Sequence, residues 1–201
     1  MKLVIALLAG YLAGTVPFAY LAGRLQGLDI RKHGSGNMGT TNAFRVLGKR
    51  MGFLVFIGDF LKGMLAAQIG LMAGGNQWGP WLAICTGLLS ILGHSWNPFF
   101  GFKPTGKGVA TGVGVVMRLM PLPAAIALVF FLAATYLSGF VSMGSVVGAL
   151  AATVAAILFA DHRAYVLFTV LGTALVIYRH LDNIKRIRSG TEPKVPWRFK
   201  F

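Results

Sequence analysis

The residues best suited to chemistry lie in a segment rich in glycine and in side-chain donors, which reads Gly-Ser-Gly-Asn-Met-Gly-Thr-Thr-Asn from Gly34 to Asn42. Glycine lets a backbone approach a ligand closely, and hydroxyl and amide side chains donate hydrogen bonds. Three cations, Arg31, Lys32 and Arg45, flank the segment. This combination predicts a loop that binds an anion such as phosphate.

A second segment of similar chemistry runs from Gly93 to Thr111 and places Gly106-Lys107-Gly108 directly before an apolar stretch. Flexible backbone, a mobile positive charge and the amide groups of a helix start all favour phosphate. The first loop also fits the dinucleotide pattern GxGxxG, and the second fits the beginning of a Walker A motif. We reject both nucleotide motifs because no strand pattern surrounds either glycine cluster.

The elements that must position these loops are membrane helices. Hydrophobic residues make up 56% of the chain, charged residues 12%, and the mean hydropathy is +0.70. A bilayer core takes roughly 20 helical residues to cross. We predict an all-α, polytopic membrane protein with seven transmembrane helices in one domain, residues 1–201. The predicted segments are Lys2–Gly23, Met51–Gly74, Trp78–His94, Val109–Leu119, Leu122–Leu137, Val141–Ala160 and Ala164–Tyr178.

The positions of the basic residues predict the orientation. With the amino terminus outside, most of the 19 basic residues fall in cytoplasmic loops and in a basic cytoplasmic tail, about residues 179–201, as the positive-inside rule requires. The net charge of +14 therefore indicates a lipid bilayer as partner and not a nucleic acid. We also expect the aromatic residues Trp197, Phe199 and Phe201 to rest on lipid headgroups.

This topology places two further polar clusters at the cytoplasmic face, around Ser142 and from His180 to Arg186. His180 and Asn183 are three residues apart and therefore share a helix face. The predicted active surface consequently faces the cytosol.

We interpret the remaining acidic, cysteine and buried charged residues as structural. We expect no metal and no cofactor, because the five acidic residues do not form a hard-cation site by spacing. Cys85 is interpreted as a small core residue. Asp59 and Lys62, three residues apart, are interpreted as a helix-packing ion pair, and His94 as a residue that caps or supports its loop.

The chain resembles the PlsY-type membrane glycerol-3-phosphate acyltransferases of bacteria. The motifs that carry the resemblance follow in order along nearly the whole chain: Gly34 to Asn42, Asp-Phe-Leu-Lys-Gly (59–63), Leu-Gly-His (92–94), Gly-Lys-Gly-Val-Ala-Thr (106–111), Leu-Ser-Gly-Phe-Val-Ser (137–142) and Arg-His-Leu-Asp-Asn-Ile-Lys-Arg (179–186).

The resemblance implies acyl transfer from acyl-phosphate to the 1-hydroxyl of glycerol 3-phosphate, without a covalent acyl-enzyme, in the bacterial cytoplasmic membrane. It also implies a functional link to an enzyme that forms acyl-phosphate, and we expect a monomer. The catalytic residues would be Ser35, Arg45, Lys107, His180 and Asn183. The substrate-binding residues would be Gly34, Gly36, Asn37, Gly39, Thr41, Asn42, Gly106, Gly108 and Ser142. The general base stays open between His180 and a substrate phosphate oxygen.

One departure from the family is visible. The family usually reads Phe-Lys-Gly-Gly-Lys-Gly, whereas this chain has Pro104 and Thr105 before Gly106 and is one residue longer there. Proline predicts a stiffer loop at this point.

Two other functions are compatible with part of the sequence. A small transporter or anion channel is suggested by the helix count and by Asp59 and Lys62, but no inverted repeat is visible. An acyl-CoA glycerolipid acyltransferase would carry a His-x4-Asp pair, and none of the four histidines begins one.

Overall fold

The computed structural model describes residues 1–195, and these residues form helices and loops with one isolated β-bridge between Trp96 and Pro104. The α-helices of this range are α1 (Lys2–Thr15), α2 (Phe18–Leu25), α3 (Thr40–Val46), α4 (Gly48–Ser95), α5 (Val109–Leu119), α6 (Pro121–Ser138), α7 (Val141–Phe159), α8 (Arg163–Arg179) and α9 (Leu181–Arg188). The all-α prediction is confirmed for the described residues.

Within residues 1–195, four segments are long and apolar enough to cross a membrane: 2–25, α4, α6 and α7. The pair α8 and α9, bent by 48°, would add a fifth, and α5 is a shorter apolar helix. The first predicted span proves to be two helices, since Val16 and Pro17 interrupt it. The count of seven crossings and the orientation of the termini stay predictions.

Helix α4 combines the second and third predicted spans. Its 48 residues would extend roughly 70 Å as a straight helix, more than twice a bilayer core. Gly75 breaks the helix with φ 58° and ψ −156°, a conformation suited to glycine. The two arms then pack together, because a Cβ at Gly74 would lie 2.6 Å from the backbone nitrogen of Gly79. Each arm is therefore of membrane-spanning length.

Small residues bring α1 against the second arm of α4. Gly10 and Gly14 form a GxxxG pattern, and a Cβ at Gly10 would lie 2.8 Å from Cβ of Thr86. A Cβ at Gly14 would overlap the carbonyl oxygen of Ser90. Such close backbone approach is how helices associate in a solvent that supplies no hydrophobic drive.

The described chain divides into two compact units, Met1–Arg118 and a second that begins at Leu119. In the second unit Pro121 begins α6, which suits a residue without an N–H, and so it does not interrupt a span. Gly139, with φ 80°, turns the chain from α6 into α7. Thr153 on α7 contacts Thr173 on α8 at 2.9 Å between hydroxyl oxygens. The single-domain organisation stays a prediction.

Two further predictions concern Cys85 and the aromatic tail. The interpretation of Cys85 as a core residue is wrong, because its side chain is exposed. It shares an exposed stripe of the second arm of α4 with Trp81 and Leu92, which stand four residues before it and seven after it. The expectation for the aromatic tail concerns residues 196–201, which lie outside the described residues.

Candidate active site

The Gly34 to Asn42 loop is shaped from inside by Asn42. This residue is 2% exposed, and its Oδ1 accepts a hydrogen bond from the Ser35 backbone N–H at 2.9 Å. Its amide nitrogen donates to the His33 carbonyl at 3.1 Å. Gly34 and Gly36 have φ 59° and 69°, and a Cβ at Gly34 would overlap Asn42 Oδ1. The glycines are therefore needed for the turn, and Asn42 organises the loop; its direct contact with substrate stays a prediction.

Apart from Asn42, the polar side chains of this loop are either exposed or have a buried atom without a hydrogen-bond partner among residues 1–195. Ser35 and Thr41 are exposed, and nothing lies within 4 Å of a Cβ built at Gly39. Asn37 Oδ1 and Thr40 Oγ1 are buried and have no hydrogen-bond partner in the described part of the chain. Buried polar atoms usually have a hydrogen-bond partner, so these two atoms are candidates to bind a ligand or a water molecule.

The cations that flank the loop differ in what they offer. Arg31 forms a salt bridge with Asp29 at 2.6 Å, and the same guanidinium hydrogen bond lowers the pKa of Asp29. Its guanidinium also lies 5.0 Å from the ring centroid of Tyr20. Arg45 is exposed on α3, four residues after Thr41 and hence on the same face. Arg45 is thus better placed than the paired Arg31 to meet an anion.

The structure brings the two predicted anion-binding loops together. The Met38 N–H donates to the Thr105 carbonyl at 3.0 Å, and the Thr105 N–H donates to the Ser95 carbonyl at 2.9 Å. Lys107 follows two residues later, half-buried between Gly106 and Gly108, and Gly108 has φ 74°. One backbone contact therefore joins the glycine loop to the segment that carries Lys107.

A buried polar cluster supports the second loop. Lys62 Nζ lies 2.6 Å from Asp59 Oδ1 and 2.9 Å from His94 Nδ1, and it also donates to the Val16 carbonyl at 3.0 Å. The predicted ion pair is confirmed. An ammonium group only donates, so with Lys62 charged and His94 neutral Nδ1 accepts and Nε2 carries the ring proton. A Cβ at Gly106 would overlap Nε2 of His94, so this ring lies directly against the loop.

His94 therefore supports its loop, as the sequence suggested. The sequence did not indicate that His94 would do so together with Asp59 and Lys62. The family motifs could have indicated this cluster, because all three residues belong to them.

In the second unit, three donors converge on one carboxylate, that of Glu192. Ser142 Oγ and Asn183 Nδ2 donate to Oε1 at 2.9 and 2.6 Å, and Arg186 Nε donates to Oε2 at 2.8 Å. Two of these donors, Ser142 and Asn183, are predicted site residues. The carboxylate thus brings them together in the structure.

His180 is 3% exposed and lies at the break between α8 and α9. Its Nδ1 is 2.7 Å from the Val176 carbonyl, which can only accept. Nδ1 therefore carries a proton, and in the neutral ring Nε2 is the basic nitrogen. This tautomer is compatible with a general base.

Sequence reasoning missed Glu192. The local composition could have indicated this residue, because Glu192 is one of two acidic residues among seven basic residues between 179 and 200. Partial burial acts to raise the pKa of Glu192, whereas hydrogen bonds from Asn183, Arg186 and Ser142 act to lower it. The hydrogen bonds prevail, and the pKa lies below its ordinary value of 4.5.

This shift predicts a pH-dependent stability. Because the folded pKa is depressed, the contribution of Glu192 is present above pH 4.5 and is lost as the pH falls through the folded pKa. We expect Glu192→Gln to lower the melting temperature by about 2–8 °C at neutral pH, since a loss of about 1–2 kcal/mol costs roughly 2–4 °C per kcal/mol in a chain of this size. Thermal unfolding in detergent, measured at several pH values, checks this.

The difference between wild type and variant should shrink below pH 4.5. Asp182→Asn is the matched control, because its side chain is 81% exposed and lies 3.6 Å from Lys185. We expect it to melt like the wild type. A gap for Glu192→Gln that stays constant down to strongly acidic pH would contradict a role for its charge.

Comparisons with known proteins agree with this fold. The family model described as glycerol-3-phosphate acyltransferase matches residues 4–190. A glycerol-3-phosphate acyltransferase of Syntrophomonas wolfei is 43% identical over 186 residues, covering 92% of this chain and 93% of the relative. PlsY, an integral membrane glycerol 3-phosphate acyltransferase, is similar in two crystal structures. Its glycerol 3-phosphate form has a TM-score of 0.90 at 36% identity, covering 97% of this chain and 96% of that chain. Its lysophosphatidic acid form has a TM-score of 0.88 at 36% identity, covering 96% and 95%.

The apolar helices and these similarities define a multi-pass bacterial membrane protein. The chain belongs to the glycerol-3-phosphate acyltransferase family, and within it to the PlsY type. It is accordingly an acyltransferase of phospholipid biosynthesis. The resemblance seen in the sequence motifs is confirmed.

Proposed function

We propose that this protein transfers an acyl group from acyl-phosphate to the 1-hydroxyl of glycerol 3-phosphate. The products are 1-acyl-glycerol 3-phosphate, which is lysophosphatidic acid, and inorganic phosphate. The observation that carries the proposal is the hydrogen bond from Met38 to Thr105, because it joins two loops that each suit a phosphate group. The glycerol 3-phosphate and lysophosphatidic acid forms of the related PlsY support the same acceptor and product.

The reaction needs no protein nucleophile. Acyl-phosphate is a mixed anhydride, so the hydroxyl oxygen of glycerol 3-phosphate can attack its carbonyl carbon directly. The bond from that carbon to the phosphate oxygen then breaks, and phosphate leaves. The activated acyl group of the donor supports direct transfer without a covalent acyl-enzyme.

Catalysis would come from bringing two phosphorylated substrates together and offsetting their repulsion. We assign the phosphate of the acyl donor to the glycine loop, where Asn37 and Thr40 have unpaired buried polar atoms. The donor site would comprise Ser35, Gly36, Asn37 and Thr41, with Gly34, Gly39 and Asn42 shaping the loop. Glycerol 3-phosphate would be held by Arg45, Lys107, Ser142, His180 and Asn183, with Gly106 and Gly108 beside Lys107. The proton of the attacking hydroxyl would pass to His180 Nε2 or to a substrate phosphate oxygen.

The membrane arrangement belongs to the same proposal. We infer seven crossings, with an outside amino terminus, a cytoplasmic carboxyl terminus and a site that faces the cytosol. The two arms of α4 support separate crossings, and the distribution of basic residues supports the orientation. A site on this face suits water-soluble glycerol 3-phosphate and an acyl-phosphate delivered by a cytosolic or peripheral enzyme. The protein would act as a monomer.

The experiment supplies purified protein, in lipid or detergent, with glycerol 3-phosphate and either acyl-phosphate or acyl-CoA. Phosphate release and formation of acylated glycerol 3-phosphate are measured together. We expect stoichiometric phosphate and lysophosphatidic acid with acyl-phosphate, and no product with acyl-CoA. Equal activity with both donors, or phosphate release without acyl transfer, would contradict the proposed donor and reaction.

A further inference from the structure

Thr105, which together with Pro104 departs from the usual family pattern, is the point where the two predicted anion-binding loops are joined. Thr105 is 7% exposed, and each of its polar groups is hydrogen-bonded. Its N–H donates to the Ser95 carbonyl at 2.9 Å, and its carbonyl accepts from the Met38 N–H at 3.0 Å. Its hydroxyl donates to the His94 carbonyl at 2.5 Å. One residue therefore connects the end of α4 to the glycine loop.

The hydroxyl gives Thr105 a contact that a residue without a side-chain donor cannot make. His94 and Ser95 are the last residues of α4, where carbonyl groups lack partners within the helix. The Thr105 N–H and hydroxyl pair with these two carbonyls. A glycine or valine at this position would keep the two backbone bonds, and the buried His94 carbonyl would lose a donor.

The following residues make this anchor relevant to the reaction. Gly106 lies against the His94 ring, which hydrogen-bonds Lys62, and Lys62 in turn pairs with Asp59. Lys107 is the next residue, so the two residues that are held in place, Thr105 and Gly106, come directly before it. The position of the Lys107 backbone relative to Asn37 and Thr40 is thus set through Thr105.

We propose that Thr105 is a positioning residue that fixes the spacing between the glycine loop and the Lys107 loop. The inference rests on the proposed role of Lys107 in binding a substrate phosphate. Acyl transfer between two phosphorylated substrates depends on the reacting atoms lying about 3–3.5 Å apart, and small displacements are costly. A loop one residue longer than usual needs such an anchor to hold its lysine in place.

The test compares Thr105→Val, which keeps the side-chain shape and removes the hydroxyl, with Thr105→Ser, which keeps the hydroxyl. Thr86→Val is the matched control, because Thr86 is fully buried and its hydroxyl bonds the Leu82 carbonyl within α4 at 3.0 Å. Hydrogen exchange of the peptide containing Met38 reports whether the loops stay joined, and it does not require activity. Steady-state kinetics with acyl-phosphate and glycerol 3-phosphate reports positioning.

We expect Thr105→Val to speed exchange at Met38 and to lower kcat/KM for glycerol 3-phosphate about tenfold, the size of one hydrogen bond. Thr105→Ser should stay near wild type in both measurements, and Thr86→Val should change neither. Unchanged exchange at Met38 would overturn the proposal whatever the activity, and faster exchange with unchanged kcat/KM would overturn the positioning role. If Thr105→Val does not fold, Thr105→Ala makes the same comparison.

The result for Thr105 can be distinguished from the result for the proposed function. If the wild type does not use acyl-phosphate, the proposed function fails. The exchange at Met38 then still decides whether Thr105 joins the loops.

Discussion

Replacing Lys107 by methionine is expected to lower kcat by roughly 10²–10³-fold, the effect of removing one electrostatic contact to the charge that develops in a transition state. Methionine keeps the length of the side chain and removes its charge. Lys107 stands between two glycines at the start of α5, where its charge would offset that of a phosphate group. The rate of phosphate release from acyl-phosphate, with saturating glycerol 3-phosphate, measures the loss.

Lys103→Met provides the matched control, because Lys103 is exposed in the same loop, four residues earlier. It changes the net charge equally and should leave kcat within about twofold of the wild type, as for most surface substitutions. Similar losses in both variants would indicate a general electrostatic effect. Wild-type kinetics in Lys107→Met would remove Lys107 from the active site.

Local signals in the sequence were sufficient for much of the fold. Long apolar segments predicted the helices to within a few residues, because a helix in lipid must be apolar along its length. The glycine loop was predicted because Gly34 and Gly36 require a backbone that other residues rarely adopt. The helix break at Gly75 was also indicated, as the gap between two predicted spans.

Contacts between distant residues could not be predicted in the same way. Ser142 and Glu192 are 50 residues apart, and Lys62 and His94 are 32 apart. Their pairing depends on how helices pack, which hydropathy and spacing do not specify. The exposed position of Cys85 was missed for the same reason, since an apolar segment gives no strong sign of which face meets lipid.

The family motifs acquire a physical explanation from these contacts. Asp59 and Lys62 lie within a membrane helix, where an unpaired charge is costly. Their pairing with His94 gives them a role at the loop rather than in transport, because the cluster ends against Gly106. The buried charges therefore hold a ring in place beside the proposed substrate-binding loop.

Gly106 provides the sharpest test of that arrangement, and Gly106→Ala is expected to lower kcat/KM about 100-fold. The backbone of Gly106 is not in the left-handed region, so alanine costs no backbone strain. Its Cβ would instead overlap Nε2 of His94, and this ring cannot move freely because Lys62 holds it. The loop must shift, and a displacement of about 1 Å near reacting groups costs about 10²-fold. Kinetics with acyl-phosphate and glycerol 3-phosphate measures the loss.

The matched control is Gly112→Ala, because a Cβ there would lie 3.5 Å from Ile91 Cδ1, an ordinary contact. It should retain near-wild-type kinetics. A double variant separates the steric cause from others, since His94→Ala removes the ring that alanine at position 106 would overlap. Relative to His94→Ala alone, adding Gly106→Ala should then cost less than about tenfold, a coupling of at least roughly 1.4 kcal/mol. If Gly106→Ala costs the same 100-fold in both backgrounds, the His94 ring is not what fixes the position of the Lys107 loop.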